Sequence, residues 1–106
     1  MICSVRRHPA VESDILDIAA WIAHDSKLGA FRFLDAVEAS IGNLRLMPTQ
    51  GSPKHLRPPR LRSVRSWAIE GFPNHLILYD IKADHLYILA VIYGGRSYSR
   101  LLAERS

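Results

Sequence analysis

The chain has 106 residues, an apolar share of 48% and one cysteine, Cys3, which bounds it to one domain with a modest core and excludes both a disordered tail and an intrachain disulfide. Its net charge of +4 is uneven: residues 1–47 hold five Lys/Arg and six Asp/Glu, residues 48–106 nine and four. The longest apolar run, 86–93, is eight residues, far short of the roughly 20 of a membrane helix, and Glu12, Asp14 and Asp17 interrupt any secretory signal core, so the expectation is a soluble cytoplasmic protein.

Residues 2–7 are short and partly β-branched, a first strand that Pro9 ends. Val11, Ile15, Ile18, Ala19 and Ile22 recur at three- and four-residue steps, which predicts a helix over 11–25 with one apolar stripe. Glu12, Asp14 and Asp17 stand in its first turns, where the helix dipole favours acids. Trp21 is expected to border the core. After a break at Asp25 and Ser26, the positions Ala30, Leu34, Val37, Ile41 and Leu44 predict a second helix over 27–47, which Pro48 stops. Two amphipathic helices with almost no linker make an antiparallel hairpin.

Residues 48–59 hold four of the six prolines and Gly51, a stiff surface loop. Three strands follow, over 62–69, 75–81 and 86–93. Their links of five and four residues require antiparallel neighbours. The last run is apolar on both faces and is expected at the sheet centre, beside the first strand. Strand, helix, helix and three strands make an α+β layout with helices on one face. Gly94 and Gly95 end the last strand, which puts Arg96 at the rim and lets Leu101 and Leu102 fold back on the core edge.

The chemistry-bearing residues are sparse. The five histidines (His8, His24, His55, His75, His85) are scattered, with no H-x-x-x-H or C-x-x-C spacing, and no cofactor or metal is expected. Gly94–Gly95 lacks the Lys-Ser/Thr of a phosphate loop. Cleaving RNA at the 2′-OH needs a base, an acid and cations. Arg62, Arg65, His75, Tyr93, Arg96 and Tyr98 are candidates to meet on one sheet, yet only His75 titrates near neutrality. Lys54, Arg57, Arg60, Arg62 and Arg65 form a basic stretch with no acid, which attracts polyanions such as nucleic acid or an acidic protein segment. Trp67 and Tyr79 are expected in the core.

Four segments carry a resemblance in order and at matching spacing. ESDILDIAAWIAHDS is similar to a D-L-x-x-I-x-x-Y-I segment, with Trp21 in the aromatic position. MPTQGSP is similar to a P-x-x-G loop. In VRSWAIEGFPNHLILYDI, the residues Arg65, Trp67, Gly71, Phe72, Asn74 and Tyr79 fall on an R-x-W-x-V-x-G-F-x-N-Y-L-I-F-Y strand pair. VIYGGRSYSRLL resembles a V-x-H-G-x-R-D-x-x-x-L-L ending, with Tyr93 in place of histidine and Ser97 in place of aspartate. Together they resemble the ParE branch of the RelE/ParE toxin superfamily.

That resemblance implies the toxin half of a type II toxin–antitoxin pair, neutralised by a ParD-like antitoxin whose disordered C-terminal half folds around the toxin, its acidic tail facing a basic chain. It implies DNA gyrase as the target, trapped in its cleaved-DNA state, and so a poison that is not itself an enzyme. Partner contacts are then expected from Arg60, Arg62, Arg65, Tyr93, Arg96, Tyr98 and Arg100. Two alternatives share the fold: a ribosome-dependent messenger RNA endonuclease of the RelE type, using Arg62, Arg65, Tyr93 and Arg96, and a non-toxic binding module.

Overall fold

Strand, helix, helix and three strands follow one another as the periodicity predicts, with a two-residue strand inside the expected loop 48–59 and one further helix at the end. The computed structural model describes residues 4–95 and 98–105, so Cys3 and Arg96 lie outside the described residues. The elements are β1 (Ser4–Arg7), α1 (Val11–Ala23), α2 (Lys27–Leu46), β2 (Ser52–Pro53), β3 (Arg65–Ile69), β4 (Phe72–Ile81), β5 (His85–Tyr93) and α3 (Ser99–Arg105). The sheet order is β1-β5-β4-β3-β2. β1 pairs with β5 in parallel, and the other neighbours are antiparallel. β5 therefore sits inside the sheet with β1 beside it, as its two-sided apolar sequence requires.

Ser26 starts α2: its hydroxyl accepts the Gly29 N–H at 2.8 Å, satisfying a donor the helix leaves orphaned. The hairpin packs on one sheet face. Val11, Ile15, Ala19, Phe33, Val37, Ile41 and Leu44 meet Ile69, Ile77, Tyr79, Leu86, Ile88 and Val91. Burying each large apolar side chain there contributes about 1.5–3 kcal/mol. β5 keeps this face despite a register shift opposite Leu78 and Tyr79: Tyr79 faces Ile88, while Leu78 faces Ala90. The extra residue is Leu89, a bulge that lets Ile88 and Val91 both point at the helices.

The other sheet face is covered as well. Leu61, Val64 and Leu102, with Leu56, Tyr98 and Leu101, cover Leu78, Leu89, Ala90 and Ile92. The cover comes from the segment 54–64 and from α3. It also corrects the strand bounds. β3 begins at Arg65, not Arg62, because Pro59 opens a short 3-10 turn, Pro59–Leu61, that drives Leu61 inward. β4 begins at Phe72, since a two-residue turn at Glu70 and Gly71 suffices. Gly71 adopts a φ of 81°, which a side chain would resist.

β1 stops at Arg7 while β5 runs on to Tyr93. Side chains close part of the remaining edge. Asp14 Oδ2 accepts the Val91 N–H at 3.1 Å, and Arg105 Nη1 donates to the Leu89 carbonyl at 3.0 Å. The two side chains also pair with each other, at 2.5 and 2.8 Å, and are only 15% and 10% exposed. The carboxylate of Asp14 raises the Arg105 guanidinium further above its ordinary range. Asp14 thus ties α3, α1 and β5 together, beyond its place in the first turn of a helix.

Candidate partner-binding site

A groove of about 730 Å³ opens between the second half of α1 and the ends of β4 and β5. Asp17, Ile18, Trp21 and Ile22 form its helical wall, and Asp25 and Ser26 close one end. His75 and Tyr93, directly paired across β4 and β5, form the sheet wall. Trp21 is 76% exposed and Tyr93 54%. Trp21 therefore does not border the core. At 100° per residue it stands about 100° from Ile22 but only about 60° from Ile18, so helical spacing puts it on the flank of the stripe, and the groove on that flank leaves the indole exposed.

Behind the groove, an aromatic row runs into the core. His75 meets Tyr93 edge-on at 5.6 Å and Phe33 at 5.4 Å, and Phe33 meets Phe72 at 5.2 Å. Such edge-to-face pairs add roughly 0.5–1.5 kcal/mol each beyond area burial. The His75 Nδ1 is buried with no hydrogen-bond partner among the described residues. Burial lowers the His75 pKa below its ordinary value, so the ring is neutral at neutral pH. Its ring neighbours among the described residues are Phe33, Phe72 and Tyr93. Among the described residues, no three His, Cys, Asp or Glu gather as a metal site requires. No helix there is long and apolar enough to cross a membrane.

The sequence-predicted contact residues divide between the two sheet faces. Tyr93 stands in the groove, on the helix side. Arg60, Arg62, Tyr98 and Arg100 belong to the opposite layer: Arg60 Nη2 donates to the Ala103 carbonyl at 3.1 Å, and Lys54 Nζ lies 5.4 Å from the Tyr98 ring centroid. Arg65 is half-buried and binds the loop before β3, donating to the Thr49 and Gly51 carbonyls at 3.2 and 2.8 Å. The same loop is held by Tyr79, whose hydroxyl donates to the Pro48 carbonyl at 2.6 Å and accepts the Gly51 N–H at 3.0 Å. A Cβ at Gly51 would fall 2.2 Å from that hydroxyl, so only glycine fits. Tyr79 is fully buried, as its strand position predicts; Trp67 is partly buried against the same core. Trp21 and Asp17 were not among the predicted contacts, although an indole on the flank of the apolar stripe was the readable part of the signal.

The family model "ParE toxin of type II toxin-antitoxin system, parDE" matches residues 5–98. Among solved structures, a chain of the chromosomal ParDE TA system from P. aeruginosa superposes with a TM-score of 0.69, at 15% identity, covering 87% of this chain and 96% of that one. At that identity the likeness is one of fold. No curated protein matches the chain.

Proposed function

We propose, for a chain that belongs to the ParE toxin family of type II toxin–antitoxin systems, that it arrests growth in the cytoplasm by poisoning DNA gyrase and is silenced by an antitoxin of the ParD kind. The observation that carries the antitoxin half is the groove: an apolar trough with Trp21 and Tyr93 standing exposed on its walls. Exposed aromatic anchors beside a concave apolar surface suit an amphipathic helix or strand from a protein partner. Asp17 and Asp25 at the rim favour a basic residue flanking that partner's apolar anchors.

The gyrase half rests on the family. Arg60, Arg62, Arg65, Tyr98 and Arg100, with Arg96 outside the described residues, are the contacts offered to the target complex.

The test is direct. Purified protein is added in excess to gyrase supercoiling and DNA-cleavage reactions, beside a cell-free translation reaction. Inhibited supercoiling with accumulated cleaved DNA is expected; gyrase left untouched while translation stops with cut messages would replace this target with the ribosome. For the groove, Trp21→Ala should weaken binding to the ParD-type partner by tenfold or more, about 1.4 kcal/mol, with an unchanged melting temperature.

A further inference from the structure

We infer that the layer built from segment 54–64 and α3 binds the phosphodiester backbone of duplex DNA. This deepens the reading above by naming what the basic contacts meet, and rests on it only for a target that holds DNA.

The charge of the molecule is sorted by layer. Residues 11–46, the helical layer, carry six acids against three bases. Segments 54–64 and 98–105 carry six bases and a single acid, Glu104. The two segments share one sheet face, because Leu61, Val64 and Leu102 form one cluster with Tyr98 and Leu101. Arg57, Arg60, Arg62 and Arg100 are exposed on it. Arg105 of the six is spent on Asp14, whereas Arg100 meets Glu104 at 4.0 Å between exposed side chains, and such surface pairs hold charge only loosely. The basic face ends at a cleft of about 240 Å³ beside Arg60, where Asp80 pairs with Lys82 at 3.2 Å.

Three polyanions compete for such a face. An acidic protein segment needs apolar anchors as well as charge, and the large exposed apolar residues lie elsewhere: Leu16, Trp21, Leu28, Phe31, Leu46, Met47 and Tyr93. Single-stranded RNA is bound by stacking on exposed aromatic rings. The tyrosines of this face, Tyr87 and Tyr98, are partly buried, Tyr98 with Lys54 over it, which leaves the small imidazole of His55 as its exposed ring among the described residues. Duplex phosphates ask only for arginines presented on a firm surface, and three prolines in and beside the segment (Pro53, Pro58, Pro59) stiffen it.

Fluorescence anisotropy of the full chain on a labelled duplex of arbitrary sequence, across a salt series, tests this. Four phosphate contacts predict a slope of log affinity on log salt of about −3 to −4. Arg57→Glu, Arg62→Glu and Arg100→Glu combined should abolish binding at low salt and leave the melting temperature within a few degrees. The corresponding three lysines should retain it, as should Trp21→Ala. Arg60 is left intact because it braces α3. A flat salt dependence, or duplex binding unchanged by the three glutamates, would overturn the inference. So would tighter binding to single-stranded RNA, or charge reversal that costs affinity for the acidic antitoxin segment alone. DNA binding that persists in a chain without effect on gyrase would refute the target and leave this inference standing.

Discussion

The two layers over the sheet are built by different means. The hairpin layer is two long helices whose apolar stripes merge into one continuous core with β4 and β5. The opposite layer is a proline-bearing segment and a seven-residue helix, held by a smaller apolar cluster, the Arg60–Ala103 contact and the Asp14–Arg105 tie. Apolar area stabilises the first with little regard to detail. The second depends on a few directional bonds, each with a named partner. The difference teaches that the layer richest in charge is also the one whose placement rests on charge.

Substitutions can break this contrast. The largest effect is expected from Phe33→Ala, which empties a fully buried site at the centre of the aromatic row. It should cost about 3–5 kcal/mol in denaturant unfolding, a large part of the stability of a domain this size, and both layers should unfold together. Asp14→Ala should cost about 3 kcal/mol, since it strands a nearly buried guanidinium and the Val91 N–H. Here hydrogen exchange should rise first in α3, with α2 still protected. Equal loss of protection in α2 and α3 would mean that the layers are one unit after all.

His75→Phe should have the smallest effect at neutral pH, about 1 kcal/mol or less, because it removes an unsatisfied buried nitrogen from an aromatic row. Its signature lies in acid. The folded pKa of His75 is below its ordinary 6.5, so the unfolded chain takes up the proton first. Native stability is full above about pH 6.5 and falls as pH drops towards the lowered value. Melting temperatures measured from pH 8 to pH 5 should fall less steeply in the variant than in the wild type. Parallel curves would show that His75 takes no part.

The helical layer was legible in the sequence because its signal is local. Val11, Ile15 and Ala19, then Ala30, Val37, Ile41 and Leu44, repeat within one helix each. The same arithmetic puts Trp21 on the flank of its stripe, about 60° beyond Ile18, and only the fold shows that this flank opens onto a groove. The second layer was not legible. Its helix is SRLLAER, too short for a periodic signal, and its fastening joins Asp14 to Arg105 across 91 positions. The bulge at Leu89 was hidden for a related reason: a run apolar on both faces contains no alternation to break. For the site, the aromatic and basic residues were visible as types, but only the fold assigns Tyr93 to one face and Arg60, Arg62 and Arg100 to the other.

The place of β5 in the sheet also governs when the molecule can form. It follows the other strands of this sheet in the chain, yet it joins β1 to the rest: Ser4 is matched with His85. Until β5 emerges, β1 has no neighbour and the hairpin has no complete floor. Pairings so remote in sequence close slowly compared with helical turns. The groove wall needs Tyr93, the final residue of that strand. A nascent chain therefore carries its helices early and its partner surface late, so recognition waits for β5 to emerge.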